Sequence, residues 1–193
     1  VNGILAVGMT LVIITAGIDL SIGPLAAIAG VVSAMILEKY PNLLVVALLA
    51  GLAAAAIMSM WTGVLVAKMK IAPFIASLST MSIAKGVALV IADGVPHTIK
   101  SESYIKLGNG YLWNPSKTGG ISIPIPVVII TIVVVIIGVI LYKTKYGRYI
   151  YAVGGNENAA VASGVHVTKV KFWTYVLNGV LCGIAGIVLA GRI

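Results

Sequence analysis

Between two apolar runs the chain carries GIDLSIGP at 17–24, which sets Asp19 and Ser21 among two glycines and a proline. A carboxylate and a hydroxyl two residues apart at a helix break can line a polar path, hold an ion, or cap the helix that restarts. Gly17 and Gly23 loosen the helix and Pro24 fits a first helical turn, so the string reads as helix, break, helix. The residues before Asp19 supply roughly 24 Å of helix at 1.5 Å per residue. That length suits a break at membrane depth, and it equally suits a tight cytoplasmic turn in which Asp19 is only a cap.

Lys85 is the next side chain out of place, in KGVALVIADG eight positions before Asp93. Its stem can snorkel to the outer interface. Alternatively it faces inward beside Ser77, Ser79, Thr80 and Ser82 of the same stretch, although such hydroxyls more often bond a neighbouring helix or their own backbone than a substrate. His97 and His166 lack metal-ligand spacing, Cys182 is the single cysteine, and no nucleophile motif or GxxxxGK[ST] phosphate loop is present. Neither catalysis nor a bound metal or cofactor is expected of this chain.

The elements that must position these residues are helices in a membrane. Of 193 residues 60% are hydrophobic and only 9% charged, which excludes a water-soluble globular enzyme. Charge-poor stretches cover 1–18, 20–37, 40–67, 71–92 with one interruption at Lys85, 118–142 and 172–191. Each approaches the roughly 20 apolar residues that a spanning helix needs. They are too long for strands and lack the alternation of an outer-membrane barrel. The expected fold class is therefore all-α, a polytopic transmembrane bundle. Gly179, Gly183 and Gly186 recur at spacings of four and three on the last of these helices, a face that lets another helix approach closely.

Basic residues orient the bundle. Alternation puts Lys68, Lys70, Lys143, Lys145, Arg148, Lys169 and Lys171 on one side and Lys39, Lys100, Lys106, Lys117 and Arg192 on the other. KMK at 68–70 and KTKYGR at 143–148 abut span ends, so 68–71 and 143–171 are expected in the cytoplasm and the 93–118 loop outside. The net charge of +8 thus reports topology, and no nucleic-acid partner is expected. Within the cytoplasmic segment, GGNENAAVASGV supplies an N-cap at Asn156, an acidic first-turn residue at Glu157, helix formers from Ala159 to Ala162 and a stop at Gly164. Two turns are marginal alone in water, so this helix must pack on something: span ends, head groups or another protein.

The strings AVGMTLVIITAGIDLSIGPLAAIAG at 6–30, APFIASLSTMSIAKGVALVIADG at 72–94 and YGRYIYAVGGNENAAVASGVHVTKVKFWTYVLNGVLCGIAGI at 146–187 resemble the permease subunits of bacterial ribose-type sugar ABC importers. Pro24 departs from the small polar residue expected at its place. The resemblance implies that 1–193 is one permease domain, incomplete at both ends, from an inner-membrane chain of roughly ten spans. It implies a second permease copy or sister permease, cytoplasmic subunits that use ATP and Mg, and an extracytoplasmic sugar-binding protein. By the same resemblance Asn156, Glu157, Asn158, Ala159, Ala160, Val161, Ala162, Ser163 and Gly164 form the helix that couples to the ATPase. Asp19, Ser21, Phe74, Ser77 and Thr80 are the candidates for the path or its gate. The rival readings are a secondary transporter with an ion site near Asp19 and a membrane anchor that transports nothing.

Overall fold

The computed structural model describes residues 1–95, 97, 99, 101–113 and 122–193. Lys100 and Lys117 of the outer basic set lie outside the described residues. The helices are α1 Asn2–Ile14, α2 Ile22–Lys39, α3 Leu44–Ala67, α4 Pro73–Ile91, α5 Glu102–Asn109, α6 Ile125–Lys143, α7 Lys145–Gly155, α8 Glu157–Ala162 and α9 Val167–Ala190. A short antiparallel ribbon, β1 Tyr111–Trp113 with β2 Ile123–Pro124, precedes α6. Among the described residues five helices, α2, α3, α4, α6 and α9, are long and apolar enough to cross a membrane.

The boundaries follow local chemistry. Pro73 opens α4 at its first position after an extended Ala72, as a residue before proline prefers. Pro126 sits in the first turn of α6, which therefore starts later than the apolar run at 118 suggests. In the other direction, α9 begins at Val167, five residues before the expected 172, because Lys169 and Lys171 are good helix formers that an apolar count leaves out. The run at 1–18 is cut to 13 residues because α1 closes at Thr15: the amide of Ala16 donates to Ile13 O and that of Gly17 to Val12 O, a paired terminating turn.

α9 is the axis of the bundle. Two-thirds of its span is buried, 67%, against 17% for α6, so α6 is peripheral and α9 central. α1, α2 and α3 pack on α9, α4 packs on α2 and α3, and α6 packs on α1 and α7. Glycine makes the central contacts close. A Cβ on Gly179 would overlap the Ser59 side chain of α3, one on Gly183 would lie 3.0 Å from Leu52 Cδ2 of the same helix, and one on Gly186 would overlap the Ala26 carbonyl of α2. The glycine face of α9 therefore serves two neighbours rather than one. Gly51 likewise brings α3 within 2.6 Å of the Ala29 carbonyl, counted from its missing Cβ.

Gly186→Val is accordingly expected to separate α2 from α9 and to lower the thermal transition of the detergent-solubilised protein by many degrees. Leu189→Ile conserves volume and should move it by a degree or two at most. A wild-type transition in Gly186→Val would show that the α2–α9 contact is not needed.

Sidedness follows from the same contacts. Gly63 of α3 lies against Phe172 and Leu52 against Gly183, so α3 and α9 run antiparallel and Lys68 and Lys70 share a side with 143–171. At the opposite side Tyr104 of α5 shares a 2.6 Å hydrogen bond with Ser33 of α2, and Gly108 packs backbone to backbone on Gly191.

Candidate functional site

The break between α1 and α2 is a built polar junction. Asp19 is 1% exposed and Ser21 fully buried. The backbone amide of Ser21 donates to Asp19 Oδ1 at 2.8 Å, its hydroxyl donates to the same oxygen, and Asn178 Nδ2 of α9 donates to Asp19 Oδ2 at 2.8 Å. Both carboxylate oxygens are thus satisfied by donors from within the chain, which is how a protein tolerates a buried acid. Asp19 accepts the amide of the N-cap residue and is also held by α9, so it serves the start of α2 and the central helix together. Ser21 occupies the N-cap of α2 and makes no side-chain cap bond, because its hydroxyl is turned back onto Asp19.

Asn178 lies near the midpoint of the 24-residue α9, so the break packs against the middle of the central helix rather than beside its end. Tyr175 OH, one turn earlier on α9, donates to Ile18 O at 3.3 Å. Just before the junction Ala16 takes a left-handed φ of 58°, a conformation that costs a residue with a Cβ about 1 kcal/mol. Pro24 falls in the first turn of α2 and disturbs nothing there.

The other candidate path residues are distributed differently. Thr80 is fully buried, donates to Ala76 O at 3.1 Å and accepts from Thr62 of α3 at 2.8 Å. Ser77 is fully buried and donates to Phe74 O of its own helix. Both hydroxyls bond their own helix, and Thr80 also ties α4 to α3. Phe74 is 53% exposed at the start of α4. Ala76, between them, joins Val12, Leu65, Val66 and Tyr175 in an apolar cluster that reaches α1 and α9.

The segment between α6 and α9 forms two helices. Thr144 caps α7, accepting from the Gly147 amide at 3.2 Å while its hydroxyl donates to Ile140 O. Ile150 and Val153 bury one face of α7, and a Cβ on Gly154 would overlap the carbonyl of Ile14, so α7 lies against the last turn of α1 beside the break. Tyr146 OH reaches Val170 O at 3.1 Å and Thr174 Oγ1 at 3.0 Å. Burial pushes that phenol above its usual range, with the Thr174 bond opposing, so it is a neutral hydrogen-bonding group at physiological pH.

α8 follows as the sequence describes it. Asn156 accepts from the Ala159 amide at 3.0 Å, Ser163 is the C-cap, and Gly164 takes φ +81°. The amides of Gly164 and Val165 then close onto the carbonyls of Val161 and Ala160. Only Ala160 of the helix is buried, at 4%, while Glu157, Asn158, Ala159, Val161 and Ala162 are exposed. Glu157 is engaged, accepting from Lys171 Nζ of α9 at 2.7 Å.

Sequence reasoning missed Asn178, α7 and the Glu157–Lys171 pair. A lone carboxamide in the apolar run 172–191 was the available signal for the first, and the buried pair at a spacing of three, Ile150 and Val153, for the second.

A sequence profile of the family described as branched-chain amino acid transport system / permease component matches residues 1–193. The ribose import permease protein RbsC of Bacillus subtilis (strain 168) is 41% identical over 196 residues, covering all of this chain and 58% of the relative. Its namesake from Escherichia coli (strain K12) is 43% identical over 194 residues, covering all of this chain and 59% of the relative. The galactofuranose transporter permease protein YtfT of Escherichia coli (strain K12) is 39% identical over 98% of this chain and 53% of its own length. The chain thus spans less than two-thirds of the curated relatives it matches. No solved structure matches it. Its five long apolar helices and these relatives make it a multi-pass inner-membrane protein. With the profile covering every residue, the chain belongs to the permease family described as branched-chain amino acid transport system / permease component.

Proposed function

We propose that this chain is the membrane-spanning permease subunit of an ATP-driven importer of ribose-like monosaccharides. It works beside a second permease copy or sister permease and receives sugar from an extracytoplasmic binding protein. ATP and Mg are used by cytoplasmic subunits, whose closure reaches the permease through residues 156–164. The observation that carries the coupling role is the one-sided seating of α8, a helix capped at both ends, held by Ala160 and the Glu157–Lys171 pair, and otherwise bare. A two-turn helix keeps this form only where it is anchored, and its free face is then available to a partner.

The junction at Asp19, Ser21 and Asn178 is the proposed gate. Asp19 has both oxygens engaged by internal donors, two on Oδ1 and one on Oδ2, which supports a positioning role. Phe74, Ser77 and Thr80 lie on α4, the helix proposed to move against this junction. The test is uptake of labelled D-ribose by proteoliposomes holding the complete transporter. Uptake is expected to require ATP on the cytoplasmic side and to persist with a protonophore present. Uptake that needs an ion gradient and ignores ATP would reverse the assignment.

A further inference from the structure

The outward faces of the spans are not alike. α3 presents Val45, Leu49, Ile57 and Trp61, and α6 presents Val134, Val135 and Ile136, faces suited to lipid. α4 presents a mixed face, with Ser79, Ser82 and Lys85 exposed beside the apolar Ile75, Leu78, Ile83 and Leu89. Lys85 lies 12 residues from the first residue of α4 and 6 from its last, the deepest charged side chain in any of the five spans among the described residues. A cation at that depth faces water, a partner or a polar path, because lipid solvates it poorly.

The surroundings of Lys85 distinguish among these. It lines a groove of about 620 Å³ between α2 and α4, within the size range of small-molecule sites. One end of the groove is Gly23 and Pro24, two and three residues past the buried Ser21, and the other is Gly94 and Val95 at the outer end of α4. The groove therefore runs from the break to the outer side. Its α2 wall is small, with Gly23 and Ala27 leaving room, and a Cβ on Gly23 or Gly86 would meet nothing within 4 Å. Among the described residues Lys85 is the single charged group on it.

We infer that this groove is the outer half of the substrate path and that Lys85 is its positioning residue, donating hydrogen bonds to the hydroxyl oxygens of a neutral polyol as it descends toward the Asp19 junction. An ammonium offers three donors and no acceptor, so it can hold a hydroxyl-rich solute without fixing its identity. One weak site in an otherwise apolar groove also suits a route that must release what it binds. The inference rests on the proposed importer, in which ATP-driven D-ribose uptake by the wild type is the separate test.

Given that uptake, two measurements decide on Lys85 in the complete transporter. Lys85→Met is expected to lower the maximal uptake rate at least about tenfold, as loss of a charged hydrogen bond does. Permease abundance, ATPase retention and apparent KM should be unchanged, and Lys85→Arg should restore most of the rate. Met81→Cys, one turn before Lys85 on the groove wall, should be labelled by a membrane-impermeant, charged thiol reagent added outside, and D-ribose with ATP should slow the labelling. Val135→Cys on α6 should stay unlabelled, and the fully buried Cys182 provides the blank. Wild-type uptake by Lys85→Met, or no labelling of Met81→Cys, overturns the inference and returns Lys85 to a snorkelling role. Should Lys85→Met be lost from the membrane, the labelling of Met81→Cys decides by itself.

Discussion

Ala160→Pro is expected to abolish ATP-driven uptake while the permease still inserts and pairs. The Ala160 amide donates to Asn156 O at 2.9 Å, the bond that commits α8 to a helix, and proline removes it and clashes with that carbonyl. The cost of about 3 kcal/mol exceeds what a six-residue helix holds by itself. The buried Cβ of Ala160 also packs with Val165, Val167 and Val170, so the change loosens the seat of α8 as well as its backbone. Val161→Asp isolates the outer face. Val161 is 58% exposed, and a carboxylate there leaves the fold intact but spoils an apolar contact. Pull-down of the ATP-binding subunit and uptake in vesicles are the two readouts. Both should fall by an order of magnitude or more in each variant, and full ATPase retention by Val161→Asp would remove α8 from the interface.

A charge exchange at the break carries the second large effect. Asn178→Asp sets a second carboxylate 2.8 Å from Asp19 in a site without water-facing relief, where two like charges cannot both persist. The variant should lose uptake and roughly 2 kcal/mol or more of stability. Asp19→Asn should be milder, because the Asn178 amide can turn over and present its oxygen. The double variant Asp19→Asn with Asn178→Asp restores one donor against one acceptor and keeps the Ser21 bonds to the position-19 oxygen. Recovery of uptake and melting temperature in the double variant, measured against both single variants, is the expected outcome. Equal damage in all three would mean that Asp19 acts through its charge and not through the Asn178 contact.

The helical bundle, the break and the capped helix at 156–164 were legible because each is local. Hydropathy over a stretch, a glycine–aspartate–proline cluster and an N-cap with its stop signal need no knowledge of the rest of the chain. The seat of Asp19 against the middle of α9 was not legible, since it depends on which residue 159 positions later faces it. The sequence could show that Asn178 was out of place but not that α9 would carry it to the break. α7 was hidden for another reason: its apolar stripe of Tyr146, Ile150 and Val153 is interrupted by Gly147 and Gly154, which read as breakers in sequence but here meet backbone and hold the helix in place. The Glu157–Lys171 pair also changes which substitutions are informative. Glu157→Lys, the natural choice from sequence, breaks a contact inside the chain and would confuse seating with docking.

Glycine contacts leave few ways for the bundle to move. α2, α3 and α9 meet backbone to backbone at Gly51, Gly179 and Gly186, and α5 clips the outer ends of α2 and α9 through Tyr104, Ser33, Gly108 and Gly191. Surfaces this close cannot slide without collision, so these three helices must travel as one body. The degrees of freedom left to a transport cycle belong to α1, α4 and α6, whose contacts with that three-helix block run through side chains, as at Gly8 on the Asn178 carboxamide and the Thr62–Thr80 hydroxyl pair. α7 touches α1 at Gly154 and continues into α8. A push on α8 would thus be delivered to a helix able to tilt, across a fixed block that serves as the fulcrum.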